Sequence, residues 1–203
     1  MNEKIRELLA QITALEDEIE EVLLTQQEQF LYHLKDGRIR FKQGIEEAHR
    51  ELKKGLLRWA LDSRPRNMLS APFIYAMIVP FALLDLCLTL YQWLCFPLYR
   101  IGKVKRNAYI VIDRHHLKHL NSIERFNCIY CGYANGLLAY AREVAARTEQ
   151  YWCPIKHARR VLDRHSRYHD FIDFGVGAEY HARLNDYRSQ LQSETLHDEQ
   201  ADR

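Results

Sequence analysis

Two short cysteine clusters set the tightest limit on how this chain can fold. Cys128-Ile129-Tyr130-Cys131-Gly132-Tyr133 is followed, after twenty-one residues between Cys131 and Cys153, by the cluster Trp152-Cys153-Pro154-Ile155-Lys156-His157. Three thiols and an imidazole carried on two tight turns suffice for one tetrahedral metal ion, because zinc and iron both accept thiolate and neutral imidazole. The pattern therefore predicts a knuckle in which Cys128, Cys131, Cys153 and His157 hold zinc, with iron as the alternative. Gly132 is placed to turn the chain after the second thiol. A helix starting near Asn135 or Gly136 separates the clusters, and Pro154 opens a third helix with Cys153 at its cap, where unsatisfied amides favour a thiolate. His116, His119 or Asp113 could replace His157 as the fourth donor.

The second constraint is apolar. Between Met68 and Tyr99 the polar side chains other than tyrosine are Ser70, Asp85, Thr89 and Gln92. Thirty-two residues make a helix of about 48 Å, longer than a hydrocarbon core of about 30 Å and too short to cross it twice. Residues 68–99 are predicted to form one membrane segment, bent at Pro80, which removes a backbone donor. Six basic residues precede it (Arg50, Lys53, Lys54, Arg58, Arg64, Arg66) and six follow (Arg100, Lys103, Lys105, Arg106, Arg114, Lys118). This tie leaves the orientation of a single span unresolved and favours, as an alternative, a bent re-entrant segment with both flanks in the cytoplasm. Asp85, deep in the segment, must be protonated or paired, since a lone carboxylate there costs about 2.5–3.5 kcal/mol. A partner helix, across a dimer, is the expected answer, ahead of a proton relay. Tyr91, Trp93 and Tyr99 fit an interfacial aromatic belt, and Cys87 and Cys95 read as small packing residues.

N-terminal to this, Ile5, Leu8, Ile12, Leu15, Ile19 and Val22 step by three and four, the spacing of a coiled-coil seam or of an amphipathic helix packed on its own domain. The first reading predicts a homo-oligomer or a partner protein bound through this helix. Residues 30–41, with Asp36-Gly37 between alternating runs, predict a small hairpin. A helix from about Ile45 to Leu61 leads to the membrane.

With 29 basic and 27 acidic residues the net charge is +2, which gives no field directed at nucleic acid. Five cysteines, an odd number behind a charged N-terminus unlike a secretory signal, fit a reducing compartment. His115, His116, His119, His165 and His169 outline a histidine-based oxidase only weakly, because such sites need several membrane helices. Glu143 and Glu149 are expected to pair with Arg147 and Arg142.

The stretch from Arg64 to Leu162, with YIVIDRHHLKHLNSIERFNCIYCGYANGLLAYAREVAARTEQYWCPIKHARRV, resembles a family of uncharacterised bacterial membrane-associated proteins. That resemblance implies the inner (cytoplasmic) membrane, with the soluble parts in the cytoplasm, and no particular chemistry. Cys128, Cys131, Gly132 and Tyr133, with Cys153 and Pro154, are also similar to the knuckles of rubredoxins. Lys156 stands where the fourth rubredoxin thiol would be, which favours structural zinc over electron transfer.

The resulting expectation is a mainly α protein. It has an N-terminal helical or coiled-coil region (1–67), a membrane segment (68–99), a small helical domain with a Cys/His metal knuckle (100–192) and a disordered tail (193–203). Within that region a strand is expected at Tyr109–Ile112, a helix from Asp113 to about Phe126, and another near Ala178–Leu191. The expected role is structural or adaptor-like; the alternative is a redox protein using iron or a Cys128/Cys131 dithiol.

Overall fold

The structure, a computed structural model, describes residues 3–29, 32–35, 38–41, 47, 49, 52, 53, 55, 64–178 and 180–201. They divide into two units, 1–64 with 113–129, and 65–112 with 130–203.

In the first unit the three-and-four stepping of apolar residues gives α1 (Glu3–Gln29). Its apolar stripe is uncovered: Leu8, Ile12, Leu15, Ile19 and Val22 are all exposed. Strands β1 (Tyr32–Lys35) and β2 (Arg38–Phe41) pair antiparallel with Lys35 opposite Arg38, so a two-residue connection joins them. The helix expected from Ile45 to Leu61 falls for the most part outside the described residues. Asp113 begins only a 3-10 turn (Arg114–His116), and the helix that follows starts at Ser122. The reason is capping chemistry. Asn121 Oδ1 accepts from the Ile123 and Glu124 amides at 3.0 Å, while Glu124 Oε2 accepts from the Asn121 amide at 2.9 Å. This reciprocal pair satisfies donors the first turn leaves open, whereas Asp113 makes no side-chain cap.

In the second unit the apolar segment forms α2 (Pro65–Ala76) and α3 (Ile78–Tyr99), with the break at Met77. The break lies one turn before Pro80, whose ring clashes with the carbonyl four residues earlier, that of Ala76. Arg100, at φ +56°, ends α3, and the Ile101 amide reaches back to the Phe96 carbonyl at 2.9 Å. The chain then returns as an irregular strip, with one helical turn, α4 (Arg106–Tyr109), in place of the expected strand. From Tyr130 onward α5 (Ser122–Trp152) packs on both. Phe96, Ile101, Val104, Ile110, Leu137, Tyr140 and Val144 form the core they share.

The close approach depends on one glycine. A Cβ on Gly136 would lie 2.5 Å from the Tyr109 carbonyl oxygen and 2.8 Å from Ile110 Cα. After α5, the described residues 153–178 carry no α-helix. Ile155 bridges Ile172, a 3-10 turn spans Ser166–Asp170, and α6 (Tyr180–Ala201) closes the unit through Leu184, Tyr187 and Leu191. The tail expected to be disordered from Ser193 is helical as far as Ala201.

Candidate functional site

The cysteine clusters do not form a knuckle. Cys128 and Cys131 lie within the continuous helix α5, and Cys153 follows its last residue, its amide still bonded to the Glu149 carbonyl at 2.7 Å. Twenty-two residues of helix put Cys131 and Cys153 about 33 Å apart, while donors to one zinc ion must each lie about 2.0–2.3 Å from it. The expected turn at Gly132 and the third helix at Pro154 are absent. Gly132 is helical, and Pro154 is buried in extended chain whose carbonyl accepts from the Ile172 amide. His157 is exposed, and its amide donates to the Tyr168 hydroxyl at 2.7 Å. Among the described residues no three His, Cys, Asp or Glu side chains are placed to hold a metal ion, so His116, His119 and Asp113 complete nothing either. The run similar to a rubredoxin knuckle is likewise helical. The dithiol alternative fares no better: residues three apart on a helix hold their Cβ atoms about 5–6 Å apart, against about 3.5–4.5 Å in a disulfide. Chelator treatment and Cys131→Ser are expected to leave the thermal midpoint within about 2 °C of the untreated wild type, since surface substitutions shift stability by no more than about 0.5 kcal/mol. Melting curves with and without chelator check this.

What the fold does assemble is a polar seam along the inner face of α3. Phe81, Leu84, Asp85, Leu88, Tyr91, Gln92, Cys95, Phe96 and Tyr99 form the covered stripe, at helical spacing. Asp85 is held by Arg106, whose Nε reaches Oδ1 at 2.9 Å and Nη2 reaches Oδ2 at 2.6 Å, and by the Tyr133 hydroxyl at 3.0 Å. Its partners are therefore the chain's own return strip, through Arg106, and a helix of the same chain, α5, through Tyr133. Buried Gln92 donates to the Tyr140 hydroxyl and accepts from the Val104 amide at 2.7 Å. These bonds satisfy the polar groups that an apolar helix would otherwise strand. Tyr91 bonds Thr148 and stacks edge-on against Phe96, while Tyr99 packs on Tyr151 and Trp152. Of the expected aromatic belt, Trp93 alone is exposed.

A second cluster centres on Glu143 and Arg147 of α5. Arg147 bonds Glu143 at 2.8 Å, as expected, and the Gly102 carbonyl at 2.7 Å. Glu149 and Arg142 do not pair; they meet His165 and Asp163. Arg167 contacts Glu143, Gln150 and Glu194. Burial alone would lower its pKa; hydrogen bonds and charge from Glu194 and Glu143 outweigh this and raise it. A cleft of about 280 Å³ borders this network, lined by Gln150, Arg167, Asp170, Tyr187 and Glu194 among others. His165 Nε2 lies 3.1 Å from Glu149, and its buried Nδ1 has no hydrogen-bond partner among the described residues. An imidazole oriented by a carboxylate could accept a proton, but among the described residues no hydrogen bond ties the adjacent Ser166 hydroxyl to it. The His115 and His116 rings lie 4.0 Å apart, tilted at 38°, and His49 meets His119 edge-on at 5.2 Å, contacts that assemble no ligand set among the described residues.

Compared with protein-family models, curated proteins and solved structures, the chain has no match. Among the described residues one helical segment, Pro65–Tyr99, is long and apolar enough to cross a membrane. None of its most apolar eighteen-residue window is buried, which distinguishes it from a core helix.

Proposed function

We propose that this protein is a membrane-anchored helical adaptor, held to the bilayer by α2 and α3 and presenting its polar units to the cytoplasm. The observation that carries the reading is the bare apolar face of α2 and α3. Phe73, Val79, Leu83, Leu86, Leu90, Trp93, Leu94 and Leu98 are each at least 48% exposed. A patch this long on a water-soluble monomer would be an aggregation liability, and a lipid surface is its natural solvent. The free state of Cys87, Cys95, Cys128, Cys131 and Cys153 fits a reducing compartment, and the bacterial resemblance points to the inner membrane. The adaptor role rests on α1. Its seam has Ile5, Ile12 and Ile19 at one core position and Leu8, Leu15 and Val22 at the other, the choice that favours two parallel strands, so a second copy is its proposed partner.

Flotation through a density gradient with anionic liposomes tests the reading. Wild type should rise with the vesicles, and Leu86→Glu/Leu90→Glu should stay at the bottom while keeping its far-UV helix signal. Wild type remaining at the bottom as a soluble oligomer would reject membrane anchoring.

A further inference from the structure

We infer that α2 and α3 lie along an anionic membrane surface instead of crossing it, so that the unit of residues 65–112 and 130–203 is a monotopic body seated on its apolar side. The inference rests on the membrane-anchored reading and adds its geometry. Length is the first argument. The exposed apolar face runs from Met68 to Leu98, thirty-one residues or about 46 Å, against a core of about 30 Å. Matching the two would need a tilt of about 50°, beyond the observed range of about 0–40°.

What covers the other face is the second argument. The stripe from Asp85 to Tyr99 packs on α5 and on the irregular strip 101–112. One turn further round α5 stand Glu143 and Arg147, and Lys103 and Lys105 on the strip are exposed. A span through the second half of the segment would draw these charges and the irregular backbone of the strip into hydrocarbon, where only helices and closed barrels persist. A span through the first half would leave Leu86, Leu90, Trp93 and Leu98 in water. Lying flat puts the apolar face in lipid and every charge above it.

The third argument is charge. Exposed Arg64 and Arg66 stand at one end of the apolar face, and Arg100, Lys103 and Lys105 at the other, a placement suited to anionic headgroups.

The test uses the full-length protein on sealed vesicles of mixed anionic and zwitterionic lipid. A membrane-impermeant maleimide is added outside, and labelling is read peptide by peptide by mass spectrometry. In wild type, exposed Cys131 on α5 should label, whereas Cys87, on the bare face of α3, should label only after detergent. Arg64→Cys and Lys103→Cys, read separately with the native cysteines kept, should both label from outside. Protection of Cys131 together with Cys87, or labelling of one end only, would overturn the flat geometry and leave anchoring intact. Labelling of Cys87 on bound vesicles would also overturn it, because the bare face would then not be in lipid. Failure to bind vesicles at all would overturn both.

Discussion

Gly136→Val is expected to destabilise the protein by about 3 kcal/mol, the upper range for overpacking a close contact, and to lower its thermal midpoint by roughly 6–12 °C. The branched side chain would start from a Cβ only 2.5 Å from the Tyr109 carbonyl oxygen and 2.8 Å from Ile110 Cα. Both obstacles are backbone, so no rotamer change relieves them. The strip 101–112 would have to lift from α5, and with it the Arg106 grip on Asp85 and the Val104 bond to Gln92. Gly132→Ala is the control. Its nearest obstacle, the Val111 carbonyl oxygen, lies at 3.3 Å, and replacing a helical glycine gains up to about 1 kcal/mol. Thermal melts of the two variants in detergent check this; equal midpoints would mean that the strip does not rest on Gly136.

Arg167→Ala should cost about 2–3 kcal/mol. Its side chain is 17% exposed and joins Glu143, 14% exposed, to Glu194 and to the buried carbonyl of Gln150. Removing one member of a buried ionic cluster costs about 3–5 kcal/mol, because the charges left behind remain desolvated. The figure here is lower because Glu143 keeps Arg147 and Glu194 is 43% exposed. Adding Glu143→Gln should cost less than the sum of the single changes, the signature of shared partners. Chemical denaturation of the four species measures this coupling, and strict additivity would show that the two side chains do not share a network.

The periodic elements were legible in the chain. The helix carrying the stripe from Leu8 to Val22, the antiparallel pairing of 32–35 with 38–41 and the apolar helix ending at Tyr99 each follow from a local pattern of hydrophobicity or turn chemistry, and each appears where the pattern puts it. The capping box at Asn121 and Glu124 was also written in the residues, but the more conspicuous Asp113 obscured it. The cysteine clusters misled for an equally local reason. Cys-x-x-Cys is compatible with a knuckle and with one turn of helix. Gly132 and Gly136, which resemble turn residues, instead serve a helix on which another backbone lies.

By itself, the sequence determined the N-terminal helix and the long apolar helical segment, because propensity and hydrophobic period act over a few residues. Only the tertiary structure decided that α5 runs unbroken, parting Cys131 from Cys153, and that Asp85 finds its counter-charge twenty-one residues on, at Arg106. Those outcomes depend on which faces bury one another, and burial is settled by contacts between residues that no short window of sequence contains.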